Sequence, residues 1–371
     1  MNETKPSLSD RIPPPLLLAL QFVKVFFFVY LFLISIDLLG TAFKLSGTGI
    51  AKDFMQATSN PFIGLIIGIV TTSIIQSSSS TTSIIVAMVG AGMINLESAI
   101  PMIMGANIGT TVTCTIVSFG YIGRKTEFER SFRASIVHDI FNICATIVLF
   151  PLEMATGIIH RTALFMVGAF QGVGGFNVVS PVKVILGPVS SLVTSVITNH
   201  YLLLGLALVI MFFSMSRIVS SMKGIVMEKI EGVLNKYLFR NVLVSMLFGC
   251  FFTALVQSSS IATSIIVPLV GAGLLTIEQI FPYTLGANVG TTITAILAAL
   301  SVGTPAAMAV AFAHLIFNIF GIALIFPFRW FPIKLAKMIA AYVAVSKKNF
   351  LIFIVLFLLL HFIPITFAIF Y

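Results

Sequence analysis

Charge is what this sequence has least of. Asp, Glu, Lys and Arg make up 9% of the 371 residues, against 58% hydrophobic, and a soluble domain carries about a quarter charged residues. A water-soluble globule is therefore excluded. Cysteine is scarce as well: Cys114, Cys144 and Cys250 lie inside apolar runs without CxxC spacing. That excludes a disulfide framework and a zinc or other transition-metal site, and leaves three small core residues. No Walker A motif occurs, and no polar segment is long enough to house a nucleotide domain. The chain is not expected to drive transport with ATP on its own. Residues 1–13 are polar, and the apolar run after them lacks a small-residue cleavage site before a polar domain. The first span is expected to stay as an anchor.

What is present is apolar sequence in span-length runs from residue 14 to residue 371, the pattern of an all-α polytopic membrane protein in a lipid bilayer. The net charge of +9, from 21 Lys and Arg against 12 Asp and Glu, falls between apolar runs and forms no basic stripe with interleaved aromatics. It reads as membrane topology, and no nucleic-acid partner is expected.

Residues 76–116 realign without a gap on residues 257–297, with 22 identities in 41 positions at a constant offset of 181. The echo continues from HDIFN (His138 to Asn142) to HLIFN (His314 to Asn318). The chain is thus a duplication. We divide it into an N-terminal tail and first span (1–59), repeat 1 (60–152), a connecting region (153–240), repeat 2 (241–328) and a basic loop with a last span (329–371).

Each half opens with an apolar run too short to cross a bilayer. Pro61–Ile75, as a helix, covers about 22 Å of a hydrocarbon core roughly 30 Å thick. A polar tip follows at once, Gln76-Ser77-Ser78-Ser79, and then a short apolar return run. The second half repeats the pattern over residues 241–275 with the tip Gln257-Ser258-Ser259-Ser260. This is the pattern of two re-entrant helical hairpins, whose irregular backbone must be buried in protein or line a cavity. Lys and Arg concentrate in the N-terminus, in residues 124–133, in 217–240 and in 329–348. Those segments are expected to be cytoplasmic. The two repeats are then inverted, with about six full spans plus the hairpins, the N-terminus inside and the C-terminus outside. Residues 162–197 either cross twice or lie at the outer interface.

Two constellations carry chemistry. At the start of each return helix, free N–H groups and serine hydroxyls offer neutral donors to an oxyanion, so two tips meeting at mid-membrane make an anion cradle. Serines in membrane helices also pack small and bond back to the chain, but a duplicated QSSS favours the cradle. On the helix after each hairpin lie GANIGTTVT (Gly105 to Thr113) and GANVGTTIT (Gly286 to Thr294). Their glycines permit a break or a close backbone approach, and Asn and Thr oxygens suit sodium. The competing reading is a small-residue packing face with Asn as interhelical glue. A third set, Lys24, Asp37, His138, Asp139 and His314, is read chiefly as interhelical hydrogen bonding, with proton relay as the alternative.

At these residues the sequence resembles the type II sodium-dependent phosphate cotransporters: QSSS twice, each followed by G-x-N-[IV]-G-T, with VHDIFN and LFPLE in the first half. The resemblance implies an inverted-repeat symporter for inorganic phosphate, with sodium as coupling ion and no organic cofactor. It implies that Ser77, Ser78, Ser79, Ser258, Ser259 and Ser260 bind phosphate. Sodium would be held by Gln257, Ser258, Asn288, Thr291 and Thr294, with Gln76, Asn107, Thr110 and Thr113 as first-half counterparts. Animal members carry a large outer loop in mid-chain where residues 196–201 form only a short link here. A compact, bacterial-type member in the cytoplasmic membrane is expected. The alternatives are a phosphate exporter, a proton-coupled carrier and an anion channel. An intramembrane serine hydrolase lacks a GxSxG elbow and gives no reason for duplicated serines.

Overall fold

Asparagine opens the first arm of each half. Asn60 Oδ1 accepts the Phe62 amide at 2.9 Å, with Pro61 as first helical residue; Asn241, 181 positions on, accepts the Leu243 amide at 2.8 Å. Both satisfy amides that have no intrahelical partner. The computed structural model describes residues 14–172, 181–233 and 241–362, and among these no strand occurs. The helices are α1 (Pro14–Leu45), α2 (Gly47–Ala57), α3 (Pro61–Ile75), α4 (Ser78–Ala91), α5 (Leu96–Gly109), α6 (Val112–Phe119), α7 (Lys125–Thr156), α8 (Ile158–Gly172) and α9 (Pro181–Val196). They continue with α10 (His200–Val233), α11 (Val242–Val256), α12 (Ser259–Ser264), α13 (Ile266–Gly271), α14 (Ile277–Val302), α15 (Pro305–Ile325), α16 (Trp330–Val345) and α17 (Lys347–Phe362).

Among the described residues, six segments are long and apolar enough to cross a membrane: Ala19–Leu45, Leu96–Phe119, Lys125–Thr156, His200–Met222, Ile277–Val302 and Pro305–Phe328. That agrees with the expected count of about six. The last span expected within residues 329–371 falls on α16 and α17, of 16 residues each, and on residues 363–371, which lie outside the described residues. Helices α8 and α9, of 15 and 16 residues, are each shorter than a span. Helix α2 meets α3 at 100°.

The first arm of each hairpin runs alongside the long helix of its own half, in contact at glycines. A Cβ on Gly105 would overlap the Leu65 carbonyl, and a Cβ on Gly286 would overlap the Met246 carbonyl. The two contacts are again 181 residues apart. Gly105 and Gly109, like Gly286 and Gly290, form GxxxG faces that bring backbones together, which substitutes for the hydrophobic driving force that lipid does not supply. The packing reading of the glycines therefore holds in both halves.

The return helices pack across to the opposite half. Helix α4 lies against α14, α15 and α1, while α13 lies against α7 and α12 against α6. The serine-rich start of α4 is buried throughout Ser78 to Ser83. The halves differ in where they break. The GTT segment interrupts the long helix of repeat 1, between α5 and α6, whereas α14 continues through the equivalent residues. Conversely, α4 is continuous and the second return helix is divided at Ile265 into α12 and α13.

Candidate substrate and ion site

Gln76 and Gln257 end their helices in the left-handed region, at φ 56° and 57°. They are the non-glycine residues with positive φ among those described, and such a conformation in a side-chain-bearing residue costs about 1 kcal/mol or more. Each is locked by its amide bonding the carbonyl one turn back, Thr72 or Thr253, at 2.7 Å. The next residues cap the return helices. Ser77 Oγ accepts the Ser80 amide at 3.2 Å, and Ser258 Oγ accepts the Ile261 amide at 3.3 Å. Two of the six serines read as phosphate ligands thus hold the backbone. Ser78, Ser79, Ser259 and Ser260 follow within the first turns, all buried, and the amides opening α4 have no intrahelical acceptor.

Below the second tip the expected sodium residues are already in contact. Thr294 Oγ1 donates to Gln257 Oε1 at 2.6 Å, and the Gln257 amide nitrogen donates to the Ala254 carbonyl. Thr291 Oγ1 donates to the Asn288 carbonyl at 2.6 Å. The first-half counterparts are arranged differently. Gln76 is exposed, Thr113 Oγ1 is buried without a partner, and Thr110 Oγ1 bonds one turn back to Ala106 at 2.9 Å.

The two halves meet through three sets of bonds. Ser260 Oγ donates to the Thr110 carbonyl at 3.3 Å, which is available because the helix breaks there. Cys114 lies 2.8 Å from Thr263 Oγ1 and 3.7 Å from the Ser260 carbonyl. A third set runs through the asparagines: His138 Nε2 to Asn288 Oδ1 at 2.5 Å, Asn288 Nδ2 to Asn142 Oδ1 at 2.7 Å, and Asn142 Nδ2 to the Asn107 carbonyl at 2.7 Å. Asn107 Nδ2 closes the run on Ile103 at 3.0 Å. No hydrogen bond joins Gln76, Ser77, Ser78 or Ser79 to the second tip among the described residues.

His138 is therefore an interhelical bonding residue, as read from its position, while both ring nitrogens of the equivalent His314 are buried without a partner. Asp139 is buried with Oδ1 unpartnered, and so are Thr72 Oγ1 and Thr253 Oγ1, one turn before the glutamines. These oxygens can coordinate a cation, and a buried polar atom left unsatisfied is costly. Sequence reading missed Cys114, Thr72 and Thr253. The threonines carried a signal, since they recur at the 181-residue offset; Cys114 faces Ala295 in the repeat and carried none.

The model of the Na+/Pi-cotransporter family matches residues 31–174 and 210–345. The chain belongs to that family. The matched parts of the chain enclose both QSSS tips, both GANxGTT segments and both His–Asn pairs. The chain is 35% identical to the sheep sodium-dependent phosphate transport protein 2A, over 90% of this chain and 65% of the sheep protein. It is 35% identical to the rat protein of the same name, over 91% and 66%, and 32% identical to the human sodium-dependent phosphate transport protein 2B, over 84% and 59%. The chain thus spans about two thirds or less of the length of these relatives. No solved structure matches it.

Proposed function

We propose that this chain is a secondary transporter that couples sodium entry to uptake of inorganic phosphate across the cytoplasmic membrane. Phosphate and sodium bind between the two hairpin tips, and inverted repeats expose them alternately to each side, with the N-terminus inside. The observation that carries this reading is the pair of identical tips: a left-handed glutamine, a capping serine, and buried serines opening a return helix that packs into the opposite half. The sheep, rat and human relatives are named for sodium-dependent phosphate transport, which supports the same cargo here.

Phosphate is assigned to Ser78, Ser79, Ser259 and Ser260 with the neighbouring amides, Ser77 and Ser258 acting through the caps they form. Sodium is assigned to Gln257, Ser258, Asn288, Thr291 and Thr294, and to Gln76, Asn107, Thr110 and Thr113. A multiply charged anion at mid-membrane without lysine or arginine is heavily desolvated, and a sodium ion about 4 Å away returns roughly 4 kcal/mol at an effective dielectric of 20. Each ion needs the other, which is the origin of coupling. The unequal halves support access from the first tip in this conformation, because Gln76 is exposed and Thr113 unpartnered while Gln257 and Thr294 are bonded.

The test is radiolabelled phosphate uptake into proteoliposomes, with an inward sodium gradient against equimolar potassium at fixed pH. Accumulation above equilibrium with sodium alone is expected, abolished by Gln257→Ala and by Ser78→Ala. Equal flux in both cations would mean a channel or a differently coupled carrier and would remove the proposal.

A further inference from the structure

We propose that the concavity at the start of α16 holds the phosphate headgroup of an anionic phospholipid. It measures about 400 Å3 and is lined by Glu278, Arg329, Trp330, Ile333, Lys334 and Lys337. Three cations face one carboxylate. Glu278 is taken by Lys337 in an ion pair, which leaves Arg329 and Lys334 without a carboxylate partner among the described residues. The Arg329 guanidinium is stacked 5.0 Å from the centre of the Phe326 ring, so it is held at the pocket.

The surroundings select a lipid over a free anion. Phe328, Trp330 and Phe331 are 62%, 61% and 48% exposed beside the cations, and Trp330 meets Phe331 edge to face. An exposed aromatic rim next to basic residues is the signature of a membrane–water interface, where basic pockets between helices take up anionic headgroups.

The opposite half provides a contrast. Glu97, 181 residues before Glu278, faces His160 on α8 at 3.9 Å, as Glu278 faces Lys337 on α16. The larger pocket there sets Lys52, His160 and Arg161 against two carboxylates, Glu97 and Glu153. Among the described residues the pocket beside α16 carries a formal excess of two positive charges, whereas in the other pocket Lys52 and Arg161 are matched in number by Glu97 and Glu153. A lipid seated there touches Lys337, and through it the first turn of α14, the helix that carries Asn288, Thr291 and Thr294.

The test uses the full chain, purified in neutral detergent and offered phosphatidylglycerol and phosphatidylcholine in equal amounts, with bound lipid counted by native mass spectrometry. Each basic residue near an anionic headgroup contributes roughly fivefold in affinity, so two unpaired cations predict a preference for phosphatidylglycerol of roughly 25-fold. The double variant Arg329→Gln with Lys334→Gln should retain less than about a fivefold preference, and Lys334→Gln alone, at an exposed side chain, should lose about fivefold. The pair Lys52→Gln with Arg161→Gln should leave the preference unchanged, and millimolar inorganic phosphate should not displace the lipid. Equal retention of the two lipids by the wild type would overturn the proposal, as would an undiminished preference in Lys334→Gln. Displacement by inorganic phosphate would make this a free-anion site and also overturn it. None of these readings depends on transport.

Discussion

Adding one methyl group at Gly290 should separate the first arm of the second hairpin, α11, from α14. A Cβ built there lies 2.7 Å from Thr253 Cβ and 3.2 Å from the Ala254 amide nitrogen, whereas apolar carbons pack at about 3.5–4.0 Å. Helices α11 and α14 must move apart by about 1 Å, and overpacking of this kind costs roughly 1–3 kcal/mol. The displacement is local to the proposed site. Thr253 is one turn before Gln257, and Gly290 is one turn before Thr294, so the shift stretches the 2.6 Å bond between them past hydrogen-bonding range. Loss of one such bond, at about 1–2 kcal/mol, corresponds to roughly a 5- to 30-fold weaker apparent affinity for sodium. The assay is sodium-dependent phosphate uptake in proteoliposomes at several sodium concentrations, with membrane insertion checked by detergent extraction and size-exclusion chromatography. Gly168→Ala is the control, because nothing lies within 4 Å of a Cβ at that position in α8, and it should behave as wild type. If Gly290→Ala kept wild-type sodium dependence while folding normally, the link between the glycine contact and the ion site would be refuted.

The halves should also respond unequally to matched substitutions. Asn142→Ala removes bonds to Asn288 and to Asn107 across three helices, whereas Asn318→Ala removes one bond to its own helix at His314. Asn142→Ala should lower the melting temperature by several degrees more in a thermal-shift measurement, and an equal loss would contradict the role given to the asparagine run. Gln76→Gly relieves a left-handed side-chain-bearing residue, so stability should hold or rise by up to about 1 kcal/mol while phosphate uptake falls. A parallel fall in both would mean that the amide holds the fold. Glu153 caps α8 by accepting the Ile159 and His160 amides at 2.6 and 3.1 Å. Glu153→Gln should cost about 1–2 kcal/mol of stability with uptake per folded molecule unchanged, measured by denaturation alongside transport.

The hairpin arms were legible in the sequence because local chemistry sets their ends. Asn60 and Pro61 start α3, and the switch from isoleucine to Gln76-Ser77 stops it; at the same offset Asn241 starts α11 and the switch from Val256 to Gln257-Ser258 stops it. The candidate serines and threonines were legible for the same reason, since a duplicated motif fixes what lies at each tip. The division of the second return helix was legible too, since Pro268 replaces Ala87 and removes an amide bond to Ser264, but the break in the first GTT segment was not. GANIGTT and GANVGTT differ by one methylene group over seven residues, yet the first is interrupted and the second is not. Nor did the sequence distinguish Gln76, exposed, from Gln257, bonded to Thr294.

The sequence by itself determined the membrane class, the duplication, the two short arms and the polar tips. Each follows from composition or from spacing along one stretch of chain, where propensity and capping act between near neighbours. Only the tertiary structure decided which half bonds to which: Ser260 to Thr110, Cys114 to Thr263, His138 to Asn288 and Asn288 to Asn142. Those contacts join residues 146 to 150 positions apart, and the residues that differ between the halves, such as Cys114 against Ala295 and Asp139 against Leu315, give the two copies of one motif different neighbours. The repeated sequence specifies two equivalent tips, and the residues that differ around them make their surroundings unequal.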